Sequence, residues 1–151
     1  MFIAQAKVLK NSWHKTQNFL TIDKGNSSGI YNNLGVVNNK GLIGITQYVS
    51  ENFTTIISIL NTDLMISAKI KDSGYFGTLG WNGKNPQKLQ LTGLPKHVKV
   101  KAGDTVVSSG YSNIITEEIE IGIIDFYKEE KNSNFLFIQV VPFVDLSLIH
   151  I

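Results

Sequence analysis

The side chains best able to do chemistry in this chain are three histidines, His14, His97 and His150, and the serines of the Ser108-Ser109-Gly110 segment. With an aspartate they could form a serine, histidine and acid triad, provided that they converge in space. No serine, however, lies in the glycine pattern of a nucleophile elbow. His97 falls in a basic strand, and His150 lies close to the chain end. A serine hydrolase is therefore kept as an alternative function without a motif to support it.

Metal and cofactor chemistry finds no support in the sequence. The chain has no cysteine, which excludes disulfides, thiolate metal sites and cysteine nucleophiles. The histidines are scattered, and no His-x-x-x-His or carboxylate cluster is present. We expect no metal site and no cofactor.

The composition is typical of a packed globular chain and gives no indication of a nucleic-acid partner. Its 151 residues, 42% of them hydrophobic, suffice for one ordinary domain or two small ones. The net charge is +2, and all 14 basic residues are lysine, so the guanidinium fork suited to phosphates and base edges is missing. No apolar run approaches the roughly 20 residues needed to cross a bilayer. A strand pattern begins at once after Met1, so we expect a domain whose N-terminal sequence is missing.

Alternation of apolar and polar residues dominates the chain and predicts an all-β fold. We expect about a dozen short strands. A contiguous central set comprises residues 34–38, 41–48, 55–60, 65–70, 74–81 and 87–92. The other set comprises residues 2–10, 19–23, 104–108, 120–127, 134–142 and 146–151. This division predicts two small six-stranded β-barrels, one of residues 34–94 inserted into a discontinuous outer one of residues 1–33 and 95–151, since closure removes exposed edges.

Two pairs of segments give a weak internal echo. Gly35-Val36-Val37 followed by Ile43-Gly44-Ile45 resembles Val106-Val107 followed by Ile121-Gly122-Ile123. The echo is explained equally well by duplication and by the frequency of such triplets in β proteins.

The most informative segment runs from Gly103 to Gly110 and reads as a turn feeding a β-branched strand. Gly103 suits a positive-φ turn, and Asp104 can bond the backbone that follows it. Thr105, Val106 and Val107 then favour an extended strand. Alone, this segment is a common strand opening.

Three further segments give the chain a family resemblance. They are Leu20-Thr21-Ile22-Asp23-Lys24-Gly25 with Gly29-Ile30, Gly35-Val36-Val37 with Gly41-Leu42-Ile43-Gly44-Ile45, and Ile121-Gly122-Ile123-Ile124. Together with the Gly103 segment they resemble the extracytoplasmic β-barrel core of the rod shape-determining MreC family. The residues that carry the motif are Gly25, Gly29, Gly35, Gly44, Gly103, Asp104, Thr105, Ser109, Gly110 and Gly122.

The resemblance implies a non-enzymatic scaffold of the cell-wall elongation machinery. Its implied partners are a class B penicillin-binding transpeptidase, MreD, MreB and RodA, and it implies a homo-oligomer in the full-length protein. It also implies a periplasmic or extracytoplasmic location, with a membrane anchor and a coiled coil ahead of this core. One departure stands out: where the family usually carries Phe-Pro-x-Gly, this chain reads Ile115-Thr116-Glu117-Glu118.

Charge is unevenly distributed along the chain. Residues 84–101 hold five lysines, one histidine and no acid, whereas residues 117–130 hold five glutamates, one aspartate and one lysine. Both can be ordinary solvated faces. The alternative is head-to-tail self-association of a basic face with an acidic one. The residues of these faces are Lys84, Lys88, Lys96, Lys99 and Lys101, and Glu117, Glu118, Glu120, Glu129 and Glu130.

Aromatic and large apolar residues in turn-rich regions are candidates for partner contact. They are Tyr75, Phe76, Trp81, Tyr111, Ile114 and Ile115. Phe76 and Trp81 have opposite parity, so a regular strand cannot place both on one face. We therefore expect about half of the set to belong to the core. A secreted adaptor or a sugar-binding module is a further alternative function.

Overall fold

Eleven antiparallel strands carry the alternating patterns in the computed structural model, which describes residues 4–110 and 118–148. Two three-residue 3-10 helices, Asn26–Ser28 and Leu146–Leu148, complete the regular elements of this part of the chain. Neither is long enough to cross a membrane. The all-β class predicted from the sequence is confirmed.

The first five strands form one sheet with the order β1-β2-β5-β4-β3. The strands are β1 (Val8–Asn11), β2 (Gln17–Ile22), β3 (Gly35–Val37), β4 (Leu42–Val49) and β5 (Thr54–Asn61). Leu20 lies opposite Ile56 in the central β2–β5 pair, and both are buried. In the β4–β5 pair the register shifts between Thr46 and Tyr48, so Gln47 is the extra residue of a β-bulge.

The next six strands close into a barrel with the order β10-β11-β8-β7-β6-β9. They are β6 (Ile66–Ile70), β7 (Phe76–Gly80), β8 (Leu89–Thr92), β9 (Thr105–Ser108), β10 (Glu120–Glu129) and β11 (Leu136–Pro142). The barrel interior is filled by fully buried aliphatic side chains such as Leu91, Val106, Ile124 and Ile138. A closed six-stranded barrel was predicted, and the structure contains one.

The division of strands between the two units differs from the prediction. Residues 34–94 do not form an inserted barrel, because β3, β4 and β5 pair into one sheet with β2, whereas β6, β7 and β8 join β9, β10 and β11. The second unit is an open sheet with edges at β1 and β3. The physical reason is that alternation identifies the buried face of a strand but carries no information about its hydrogen-bonded neighbour.

The predicted strands at the chain ends are shorter or different in the structure. Residues 4–7 are not in a strand, and β1 begins at Val8. Leu146–Leu148 forms a 3-10 helix rather than the start of a strand. Its backbone is used instead as an acceptor, because the Asn11 side-chain amide donates to the carbonyl of Leu146 at 2.7 Å.

One hydrophobic core runs through both units. The cluster includes Leu20 and Ile56 of the sheet together with Leu79 and Ile138 of the barrel. Ile59 of β5 lines a small gap together with barrel residues such as Ile66 and Leu89. The two units therefore share buried apolar surface rather than being joined by a linker alone.

The Gly103 segment forms the predicted turn and strand. Gly103 has φ +99°, and β9 begins at Thr105. The Asp104 carboxylate accepts a hydrogen bond from the Lys101 N–H at 3.1 Å. The side chain therefore bonds the backbone three residues before it, rather than the backbone that follows it as predicted. Gly29 and Gly110 also adopt positive φ, at +85° and +77°.

The internal echo has a structural counterpart. In the sheet Val36 of β3 lies opposite Gly44 of β4, and in the barrel Val106 of β9 lies opposite Gly122 of β10. A Cβ on Gly44 would lie 2.1 Å from the Ile57 carbonyl oxygen, and one on Gly122 would lie 2.2 Å from that of Val141. Both glycines therefore let a neighbouring strand approach at the same place in a pair of related hairpins.

Candidate functional site

The serines and histidines considered as members of a catalytic triad make structural contacts instead. Ser108 Oγ accepts a hydrogen bond from the Ile119 N–H at 2.9 Å, and Ser109 Oγ lies 2.6 Å from Ser67 Oγ. The His97 ring packs edge-on against Tyr75, and His14 packs in the same way against Trp13. His150 lies outside the described residues. Within the described ranges no group of three or more histidines and acids could hold a metal ion.

The β6–β7 turn presents two of the predicted contact residues, Tyr75 and Phe76. Their exposed fractions are 46% and 51%. The hairpin is fixed by backbone hydrogen bonds from Ile70 N–H to Tyr75 O and from Gly74 N–H to Ile70 O, both 2.9 Å. The contact with His97 holds the Tyr75 ring at 6.4 Å between centroids. This turn is an exposed aromatic corner closed by backbone hydrogen bonds.

Trp81 does not belong to that corner, which corrects its assignment as a candidate contact residue. Only 6% of it is exposed, and its Nε1–H donates to the Asn85 carbonyl at 2.8 Å. Trp81 shares the inward parity of Leu79, whereas Phe76 has the opposite parity, as expected for a strand. Tyr111, Ile114, Ile115 and Glu117 lie outside the described residues.

A second group of exposed aromatic side chains, Phe126, Tyr127 and Phe135, was missed by the sequence interpretation. These side chains of β10 and the β10–β11 turn are between 43% and 48% exposed. Phe126 packs edge-on against Phe137 of β11 at 6.3 Å. The Phe126-Tyr127 pair was a partial signal, because neighbouring residues of a strand point to opposite faces and at least one of the two must leave the core.

A β-bulge in β10 places Asp125 beside Lys88 and Gln139. The register shifts between Ile124 and Phe126, so Asp125 is the extra residue. Its carboxylate pairs with the Lys88 ammonium and accepts from the Gln139 amide at 3.2 Å. Burial raises the pKa of Asp125, but the hydrogen bonds from Lys88 and Gln139 and the lysine charge outweigh it, so the net pKa is lowered.

One ion pair, Lys88–Asp125, joins the basic and acidic segments. Two other acids of the acidic segment, Glu118 and Glu120, lie 3.8 Å and 3.9 Å from Lys69 and Lys71, which are outside the basic segment. The Lys96 N–H donates to the Asn134 carbonyl at 3.1 Å, which brings the basic segment to the end of the β10–β11 hairpin. Lys84, Lys99, Lys101, Glu129 and Glu130 are exposed.

The fold is thus a closed β-barrel joined to an open sheet, with exposed aromatic side chains on its hairpins. Comparison with known proteins identifies its family. The family model for the barrel core of rod shape-determining protein MreC matches residues 8–150. The chain therefore belongs to the MreC family, which is a structural, shape-determining family and not an enzyme family.

Related proteins agree with this assignment. The cell shape-determining protein MreC of Streptococcus pneumoniae is 32% identical over 107 residues, which cover 68% of this chain and 39% of that protein. The chain thus spans less than half of the length of this relative. A solved MreC structure from Listeria monocytogenes has a TM-score of 0.84 at 26% identity, covering 93% of this chain and 69% of the other.

A second similar structure is a complex between penicillin-binding protein PBP2 and MreC from Helicobacter pylori. Its TM-score is 0.72 at 16% identity, with coverage of 93% of this chain and 87% of that one. At this identity the likeness establishes a shared fold.

Proposed function

We propose that this chain is the extracytoplasmic core of a shape-determining scaffold and that it binds a class B penicillin-binding transpeptidase. Family membership carries the proposal, and the PBP2 complex of the Helicobacter pylori relative supports the choice of partner. In the full-length protein a membrane anchor ahead of this core would hold it in the periplasm or its equivalent. MreD, MreB and RodA are further proposed members of the assembly.

The β6–β7 corner, Tyr75 and Phe76, is the proposed contact with the transpeptidase. Exposed aromatic rings held on a rigid hairpin lose little conformational entropy on binding and supply large apolar contact areas. His97 already orients Tyr75, and Phe76 lies opposite Lys69 in the β6–β7 ladder. The partner would therefore present an apolar pocket or groove at this corner.

Alanine replacement of Phe76 tests the contact by surface plasmon resonance against the purified transpeptidase. We expect at least a tenfold loss of affinity with an unchanged melting temperature, since Phe76 is an exposed side chain. The matched control is Phe53→Ala, because Phe53 is 52% exposed and lies in the β4–β5 turn of the other sheet. If Phe76→Ala binds the transpeptidase with wild-type affinity, the proposed contact at this corner is refuted. A loss of affinity in Phe126→Ala would instead assign binding to the exposed aromatic side chains of the β10–β11 hairpin.

Self-association through charge is a second part of the proposal. Lys84, Lys99 and Lys101 would meet Glu129 and Glu130 of a neighbouring copy, all of which are exposed. Such attraction decays over a Debye length of about 8 Å at physiological salt. Light scattering should therefore show larger species at low salt that dissociate as salt is added. A monomer at low salt and high protein concentration would refute it.

A further inference from the structure

The loop that follows β7 carries the only Asn-Gly dipeptide of the chain, Asn82-Gly83. Asn82 is exposed, whereas Trp81 before it is buried in the barrel. The Asn82 N–H donates to Gln90 Oε1 at 2.8 Å, and Asn82 Oδ1 accepts from the Lys84 N–H at 3.0 Å. The side chain is therefore folded back over the backbone that follows it, as in an Asx turn. Neither the MreC motif nor the proposed transpeptidase contact includes these two residues.

In the described part of the chain, four asparagine side chains accept a hydrogen bond from the N–H two residues further on. They are Asn38, Asn61, Asn82 and Asn85. In three of the four, the next backbone nitrogen is hindered or blocked. Pro86 after Asn85 has no N–H. The N–H of Thr62 after Asn61 donates to the Thr16 carbonyl at 2.9 Å, and Asn39 after Asn38 carries a side chain that crowds its nitrogen.

Gly83 after Asn82 combines a free N–H with the absence of a side chain. Its N–H donates to no group within residues 4–110 and 118–148. Its φ is +85°, which glycine adopts without strain. The Lys84 N–H bonds the oxygen on which negative charge develops when a nucleophile adds to Asn82 Cγ, and such a bond strengthens as the charge grows. The loop therefore holds an amide carbonyl, a donor to its oxygen and an unengaged backbone nitrogen side by side.

We propose that Asn82 deamidates spontaneously through a succinimide formed with Gly83. The Gly83 nitrogen loses its proton to solvent and bonds to Asn82 Cγ. The Cγ–Nδ2 bond breaks, and the side-chain nitrogen takes a proton from solvent and leaves as ammonia. Water then opens the imide at one of its two carbonyls. Opening at Cγ gives aspartate in a normal backbone, and opening at the main-chain carbonyl gives isoaspartate, whose backbone is one methylene longer.

The longer backbone would disturb the contact between the barrel and the sheet. A Cβ on Gly83 would lie 3.1 Å from Thr62 Cγ2 and 3.3 Å from Thr16 Cγ2, so this loop rests on the turns that flank β2 and β5. The hydrogen bond from Trp81 Nε1–H to the Asn85 carbonyl spans the reacting residue. Isoaspartate at position 82 therefore loosens both contacts, whereas aspartate has the shape of asparagine and only adds a negative charge.

Peptide mapping by mass spectrometry, after incubation of the folded chain in H₂¹⁸O at mildly alkaline pH, tests the proposal. We expect Asn82 to react at least about tenfold faster than Asn85, since Pro86 offers no N–H. Each product should take up one solvent oxygen, and the rate should rise with pH because the attacking nitrogen must lose its proton. The proposal is overturned if Asn82 reacts at the same rate as Asn85, or if it reacts only in the chain unfolded by urea.

Two variants separate the reaction from its effect on the fold. Asn82→Ser keeps an oxygen for the Lys84 N–H but has no amide to cyclise, so its melting temperature should not change on incubation. Asn82→Asp carries the charge of one product without the longer backbone, and when freshly prepared it should melt as the wild type does. The incubated wild type should melt at a lower temperature in proportion to its isoaspartate content. An equal loss in incubated Asn82→Ser would overturn the proposed effect on the contact between barrel and sheet.

Discussion

Asp125 shows how a single inserted residue creates an interaction that sequence parity does not reveal. The bulge at Asp125 lies where β10 leaves the core, since Ile124 is buried and residues 125–130 are all exposed. The carboxylate then reaches Lys88, which lies 37 residues away in the chain and precedes β8. The resulting pair links three neighbouring strands, β8, β11 and β10, through Gln139.

We predict that Asp125→Asn destabilises the protein at neutral pH but not in acid. The folded pKa of Asp125 lies below its unfolded value of about 3.9, so its contribution is complete above that value and is lost as the pH falls through the folded pKa. Because both side chains are partly exposed, the cost at pH 7 should be about 0.5–1 kcal/mol. Urea unfolding of the two proteins at pH 7 and at about pH 3 measures the difference.

The control for Asp125→Asn is Asp72→Asn, at an exposed position in the β6–β7 turn. We expect this control to match the wild type at both pH values. An equal loss of stability by Asp125→Asn in acid and at neutral pH would mean that packing, rather than the carboxylate charge, accounts for the effect.

The related hairpins β3–β4 and β9–β10 show why a weak sequence echo corresponds to real structure. In each hairpin a valine opposes a glycine, and that glycine admits the carbonyl of the next strand. Glycine is required at Gly44 and Gly122 because the neighbouring strand's backbone lies too close for a Cβ. These glycines of the motif therefore serve the backbone and not the binding of a partner. A pattern of three or four residues can therefore predict local pairing even where it leaves the larger topology open.

We predict that Gly44→Ala destabilises the protein by about 3 kcal/mol, because its Cβ would lie 2.1 Å from backbone that cannot move aside cheaply. Gly74→Ala separates crowding from backbone strain, since Gly74 has φ +76° and open space around the added Cβ. Its cost should be only about 1–2 kcal/mol. Thermal and urea unfolding compare the variants. A smaller loss for Gly44→Ala than for Gly74→Ala would show that the β4–β5 pair can widen.

How much of the fold can be predicted from the sequence depends on what the alternation of apolar and polar residues records. Period-2 patterns identified most strands, because each strand buries one face, whereas the Gly103 turn was predicted from the glycine itself. They did not predict that β3, β4 and β5 share a sheet with β2, because the choice of neighbouring strand depends on contacts between residues far apart in the chain. Trp81 was misassigned because a nearby glycine-rich turn suggested exposure, although its parity with Leu79 placed it inside. The bulges at Gln47 and Asp125 are not marked in the sequence.

Taken as a whole, the molecule has its sheet and barrel joined by buried contacts at several separate points. Ile59 of β5 borders the barrel residues Ile66 and Leu89. Elsewhere, a Cβ on Gly41 would lie 2.6 Å from the Glu120 carbonyl oxygen, and the Asn11 side chain bonds the Leu146 carbonyl. Such a shared core favours all-or-none unfolding, whereas two independently packed barrels would allow each to unfold separately.

The two tryptophans allow this cooperativity to be measured, since Trp13 lies beside β1 and β2 of the sheet and Trp81 lies in the barrel core. In Trp81→Phe the fluorescence reports the sheet, and in Trp13→Phe it reports the barrel. After correction for the stability of each variant by far-UV circular dichroism, we expect the two urea transitions to coincide. Adding Ile59→Ala should shift both by the same amount, about 2–4 kcal/mol, because Ile59 is 4% exposed at the junction. If only the sheet signal moved, the two units would be separate folding domains, and the shared core would contribute little to coupling them.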